Sequence, residues 1–100
     1  MPDTRLSAAE IEQALASLPG WTLAGDRLQR IYRFRDFVEA FAFMTAVALR
    51  VQEMDHHPDW SNTYDTVRIE LSTHDAGGVT ARDTQLAGRI EALAARWTRK

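Results

Sequence analysis

Tyr64-Asp65-Thr66-Val67-Arg68-Ile69-Glu70-Leu71-Ser72-Thr73 is the run on which the fold turns. Val67, Ile69 and Leu71 alternate with Arg68, Glu70 and Ser72, and successive side chains of a strand point to opposite faces, so Tyr64 to Thr73 reads as a strand with one apolar and one polar face. A sheet built from such strands has a single face to bury. That requirement is met by an antiparallel sheet with helices packed on one side.

The sequence on either side supplies the helices. Downstream, Asp75 to Gly78 reads as a turn, Thr80-Ala81-Arg82-Asp83 as a capping box, and Leu86, Ile90, Leu93 and Trp97 as the apolar face of a last helix. Upstream lie a polar Ser61-Asn62-Thr63 and Trp60, which could wall a flat ligand. Before them, Pro58 disfavours helix at His57, so a long central helix has to stop by that residue. That helix begins at the N-cap sequence Asp36-Phe37-Val38-Glu39, and Phe37, Phe41, Met44, Ala48 and Val51 step by four and three along what reads as its inner face. Arg27 to Phe34, with Leu28, Tyr32 and Phe34 on one face, pairs with Trp21-Thr22-Leu23 across Gly25-Asp26 as a hairpin. Ser7-Ala8-Ala9-Glu10 is a capping box that opens a first helix carrying Ile11, Ala14, Leu15 and Leu18, closed by Pro19-Gly20. The expected fold is α+β: α-β-β-α-β-β-α, a four-stranded antiparallel sheet with three helices on one face. Phe37, Phe41, Tyr32 and Phe34 read as core, and Arg30, Arg33 and Arg35 as a solvated strand face or an oligomer contact.

At 100 residues, 45% of them hydrophobic and 26% charged, the chain has the size and balance of one globular domain spanning 1–100. So short a chain buries a modest fraction of its surface, which makes an oligomer a natural expectation. There is no cysteine, so disulfides, thiolate zinc sites and a cysteine nucleophile are excluded. A formal net charge of −2 provides no general attraction to nucleic acid or anionic lipid. Met1 to Leu6 lacks the apolar run of a signal peptide, no later stretch approaches a membrane span, and a short basic tail stands at Arg99-Lys100. The expected location is cytoplasmic.

The candidate chemistry rests on the three histidines, His56, His57 and His74. All lie near element ends, and His74 has the parity of Arg68, Glu70 and Ser72, away from the apolar core if the strand stays regular. Imidazole titrates near neutrality, so such a group can give one proton and take another. The same residues could instead be a zinc site, helix-terminus partners or satisfied hydrogen-bonding side chains. Adjacent residues in extended backbone point to opposite sides, which counts against His56 and His57 sharing a metal. Asp83 reads as the third helical residue of a capping box rather than a catalytic acid, and Gly77-Gly78 as a turn.

The run Asp55-His56-His57-Pro58-Asp59-Trp60, followed by Tyr64, Val67, Leu71-Ser72-Thr73-His74-Asp75 and the Gly78 to Asp83 turn, resembles the pterin-4a-carbinolamine dehydratase family. The likeness extends through Phe41-Ala42-Phe43-Met44-Thr45 to essentially the whole chain, and the element order agrees with that family's fold. One departure is Gln52, where family members commonly carry a glutamate; Glu53 is its neighbour. The resemblance implies dehydration of 4a-hydroxytetrahydropterin to quinonoid dihydropterin, in the recycling of tetrahydropterin for an aromatic amino acid hydroxylase. It implies His56, His57 and His74 as the catalytic set, and Asp55, Ser72, Thr73 and Asp75, with those histidines, as the pterin-binding residues. No metal or organic cofactor is implied. It further implies a homodimer or homotetramer, a hydroxylase as pathway partner, and, as an alternative function, a dimerisation cofactor or regulatory binding module.

Overall fold

The computed structural model describes residues 4–98; the basic tail and the first three residues lie outside that range. Its elements are α1 (Ala8–Leu15), β1 (Thr22–Ala24), β2 (Arg27–Arg33), α2 (Phe37–Met54), β3 (Asp59–Thr63), β4 (Thr66–Leu71) and α3 (Ala81–Thr98), with a 3₁₀ turn, His74–Ala76, before α3. The sheet is antiparallel throughout, in the order β1-β2-β4-β3. Three helices and four strands in α-β-β-α-β-β-α order make it the expected α+β fold.

Alternation along β4 decides which face is covered. Val67, Ile69 and Leu71 are buried, and their partners in β2, Tyr32 and Leu28, lie with them under α2 and α3. On α2 the buried row is Ala40, Phe43, Val47 and Val51, and on α3 it is Leu86, Ala87, Ile90 and Ala94. Phe34, Phe43 and Tyr32 form an aromatic centre with ring centroids 4.8–6.2 Å apart, against which Trp97 stands edge-on.

Three expectations need correction. The strand read over Tyr64 to Thr73 is shorter, because Tyr64 and Asp65 form the hairpin turn joining β3 to β4. Tyr64 takes a left-handed φ of 52°, and the Asn62 amide braces the turn by donating to the carbonyls of Tyr64 and Thr66. Phe37 and Phe41 are not core but about half exposed, at 47% and 56%. The rows 37-41-44-48-51 and 40-43-47-51 have the same period and share Val51; packing buried the second, with Met44 of the first partly buried against the core. Arg30 is not on the solvated face: it pairs with Ile69 on the covered side, its guanidinium 4.1 Å over the Tyr32 ring and 3.6 Å from Glu91. Gly20, at φ +86°, leaves the room, since a Cβ there would sit 2.5 Å from that guanidinium.

Candidate functional site

The helix α2 ends in a left-handed Asp55, φ 51°, a conformation that aspartate tolerates better than most residues with a Cβ. His56 N–H then closes back onto the Val51 carbonyl at 3.3 Å. Arg82, at the start of α3, caps two further carbonyls by donating from Nη2 to those of Asp55 (2.9 Å) and Met54 (3.3 Å). The chain leaves the helix with its two histidines pointing apart. His56 is turned inward, 7% exposed, while His57 is exposed.

His56 Nε2 lies 2.6 Å from Asp83 Oδ1, and Asp83 is fully buried. Its Oδ2 accepts from the Thr80 backbone N–H and the Thr73 hydroxyl, both at 2.9 Å, and the Thr73 and Thr80 hydroxyls are 2.7 Å apart. Buried carboxylates persist when hydrogen-bonded in this way, and the N-terminus of α3 adds its positive dipole end. The contact uses Nε2, so Nδ1 is the ring nitrogen that Asp83 does not hold. The capping role read for Asp83 is half of what it does. The other half is to tie the segment after α2 to the segment after β4.

On the open face of the sheet the register builds a second group. Asp59 pairs with Glu70, and carrying the two ladders past their last pairs sets Arg27 and His57 on either side of Ser72. These five residues, with Pro58, line one depression of about 230 Å³. Arg27 Nη1 donates to Asp59 Oδ2 (2.8 Å) and Glu70 Oε1 (3.1 Å), and Gln29 donates to Glu70 Oε2 (3.0 Å). The hydrogen bond to Asp59 foremost, then its charge and Glu70, holds the Arg27 guanidinium above its ordinary range.

Of the residues expected at a site, His57 and Ser72 therefore line the same depression. His56 and Thr73 meet through Asp83, on the covered side. His74 opens the 3₁₀ turn and is exposed together with Asp75; β4 has already ended at Leu71, so the turn and not strand parity places it. Asp55 is exposed and Gln52 lies on the outside of α2. Trp60 pairs with Ile69 and leans on the core from the helix side. Sequence reasoning missed Arg27, Asp59 and Glu70 as neighbours of His57, Arg82 as the clamp on α2, and Asp83 as the partner of His56. No local spacing signals a contact between residues 27 positions apart.

Among the described residues, no three His, Asp or Glu side chains converge as metal ligands would, and no helix is long and apolar enough to cross a membrane. Fold and site together define a small α+β protein in which two consecutive histidines part at a sheet end, one to a buried carboxylate and one to an open depression. The chain belongs to the pterin 4 alpha carbinolamine dehydratase family, whose sequence model matches residues 4–93. Relatives named "Putative pterin-4-alpha-carbinolamine dehydratase" are 56% identical in Prochlorococcus marinus (strain MIT 9313), over 93% of this chain and 97% of the relative. In Solibacter usitatus (strain Ellin6076) the identity is 51%, over 92% and 97%. The crystal structure of a transcriptional coactivator/pterin dehydratase from Brucella melitensis superimposes with a TM-score of 0.89 at 39% identity, covering 91% of this chain and 99% of that one. A pterin dehydratase-like RuBisCO assembly factor of the alpha-carboxysome shares the fold at a TM-score of 0.62 and 24% identity, over 74% and 86% of the two chains.

Proposed function

We propose that this chain dehydrates 4a-hydroxytetrahydropterin to quinonoid dihydropterin by histidine acid/base catalysis. The observation that carries the reading is the parting of His56 and His57. His57 reaches an open depression with Ser72, while His56 is held by Asp83.

In the reaction the C4a–O bond breaks as the adjacent ring nitrogen pushes its electron pair toward C4a. One imidazolium gives its proton to the leaving oxygen, which departs as water, and one neutral imidazole takes a ring proton, so protons balance over the cycle. His57 and His74, both exposed, exchange those protons. His56, whose ring Asp83 fixes, orients the substrate. Asp55, Ser72, Thr73 and Asp75 flank the histidines in sequence and bind the pterin through backbone or side-chain hydrogen bonds. Neither a metal nor an organic cofactor enters this scheme. The biological setting is the cytoplasm, where the enzyme would recycle tetrahydropterin for an aromatic amino acid hydroxylase.

The test is an assay with chemically generated carbinolamine. His57→Ala and His74→Ala should each slow dehydration by about 100-fold or more, the usual scale of a lost general acid or base. His56→Ala should cost less in rate; if it were the most damaging of the three, this division of roles would be wrong.

A second reading has its own observation. Phe37, Val38, Phe41 and Leu49 make an exposed apolar row on α2, with the Phe37 and Phe41 rings 5.6 Å apart. Such a face suits association into a homodimer or homotetramer, or a role as dimerisation cofactor or regulatory binding module; the Brucella protein's name pairs pterin dehydratase with transcriptional coactivator. No acceleration over buffer by the unaltered protein would favour the binding module.

A further inference from the structure

The loop that carries His74 is closed by a single bridge. Thr73 N–H donates to the Gly78 carbonyl at 2.8 Å, and Gly78 N–H returns to Thr73 at 3.4 Å. Inside that bridge, the amides of Ala76 and Gly77 both donate to the Thr73 carbonyl at 3.0 Å, so His74 and Asp75 are presented on a turn wound about one residue. The Thr73 side chain anchors this turn to Asp83. The Gly78 side of the bridge has a different support.

That support is the segment preceding α1. Leu6 N–H donates to the Val79 carbonyl at 2.8 Å, and Leu6 packs against the core. Arg5 lies across Gly78, which is buried: a Cβ on Gly78 would come within 2.8 Å of Arg5 Nε and 3.2 Å of its Cδ. Gly78, unlike Gly77 at φ +72°, does not have a left-handed backbone. A side chain at Gly78 would displace the exposed Arg5 side chain from this seat. Beside them runs a groove of about 160 Å³, walled by Leu23 and Asp26 as well as by Arg5 and Leu6.

We infer that Arg5 and Leu6 form a strap that positions His74, with Arg5 seated on Gly78 and Leu6 bonded to Val79 so that the Thr73 to Gly78 bridge stays shut. Both are positioning residues, since neither is placed at the depression or in the histidine set. The inference rests on the proposed role of His74, and its test is chosen to stand apart from it.

Arg5→Ala empties the seat, and Gly78→Ala expels Arg5 from it, so the two changes remove the same contact. The readout is the imidazole ring signal of His74 by NMR, with His56 as internal reference, in Arg5→Ala, Gly78→Ala and the double variant. The His74 signal should shift or broaden to the same extent in all three, while that of His56 holds. The carbinolamine assay should show kcat lowered about 3- to 10-fold in each single variant and no further in the double, with KM nearly constant, because coupled residues are not additive. An unchanged His74 signal in Arg5→Ala, or effects that add in the double variant, would overturn the strap. If the unaltered protein were inactive, the dehydratase reading would fall while the NMR comparison still decided the strap.

Discussion

Asp83 shows how much one side chain can hold. It accepts from a backbone N–H, a hydroxyl and an imidazole, and it is fully buried, so each contact offsets part of the cost of keeping a carboxylate away from water. Asparagine in its place offers one acceptor oxygen and no charge, leaving either the cap or the histidine unsupported. Asp83→Asn should therefore destabilise the fold by about 3 kcal/mol, the lower end of what breaking a buried hydrogen-bonded pair costs. Urea denaturation would measure it. A loss below about 1 kcal/mol would mean that water replaces the lost contacts and that the network is not dry. The residue was legible from the sequence as a cap, because Thr80 and Asp83 are three apart. It was not legible as the partner of His56, because that contact exists only once β4 and α2 are folded against α3.

The helix α2 has more apolar surface than the sheet can cover. Ala40, Phe43, Val47 and Val51 face the core, whereas Phe37, Val38, Phe41 and Leu49 face away. Hydrophobic periodicity located the helix and its N-cap, where Asp36 accepts from Glu39 N–H at 2.9 Å. It could not choose between two apolar rows of equal period, and of the residues it placed inside, Val51 is buried and Met44 partly so, while Phe37 and Phe41 are exposed. The outer row leads to an expectation: Phe41→Glu should shift an assembled protein to smaller species in sedimentation velocity while leaving the far-ultraviolet circular dichroism unchanged. A charge there faces water in the monomer but would be buried unpaired in an interface. Unaltered sedimentation would place the subunit contact elsewhere.

At the scale of the molecule, Tyr32 joins the sheet to α3 and to the chain before β1. Its hydroxyl donates to Glu91 Oε1 at 2.5 Å, and the Trp21 indole N–H donates to the same oxygen at 3.1 Å. Burial first, then the hydrogen bond and charge of Glu91, push the Tyr32 phenol well above its ordinary value. In the unfolded chain the phenol ionises near pH 10, while the folded chain keeps its proton to higher pH. Above about pH 10 the folded state thus binds more protons than the unfolded one, so this contribution to stability is complete below pH 10 and declines as pH rises. Tyr32→Phe should lower stability at pH 7 by about 1.5 kcal/mol, the scale of a hydrogen bond to a charged group, and flatten the fall between pH 10 and 11. Denaturation curves at both ends of that range would test it. Equal slopes in the two proteins would show that Tyr32 ionises without unfolding.

The amino-acid sequence by itself determined the element order, the three helix N-caps, the inward set of β4 and the two-residue turn at Gly25-Asp26. Each depends on residues within a few positions of one another, where period and cap chemistry act. The tertiary structure alone decided which face of α2 is buried, why Arg30 lies on the covered side, and where the two adjacent histidines go. Those outcomes depend on register and on contacts between distant segments: His57 and Arg27 line one depression on either side of Ser72 because two ladders continue to the same end of the sheet, and His56 turns inward because Asp83 is there to receive it. Local pattern could say that two neighbours on an extended chain face apart. Only packing could say which one met the carboxylate.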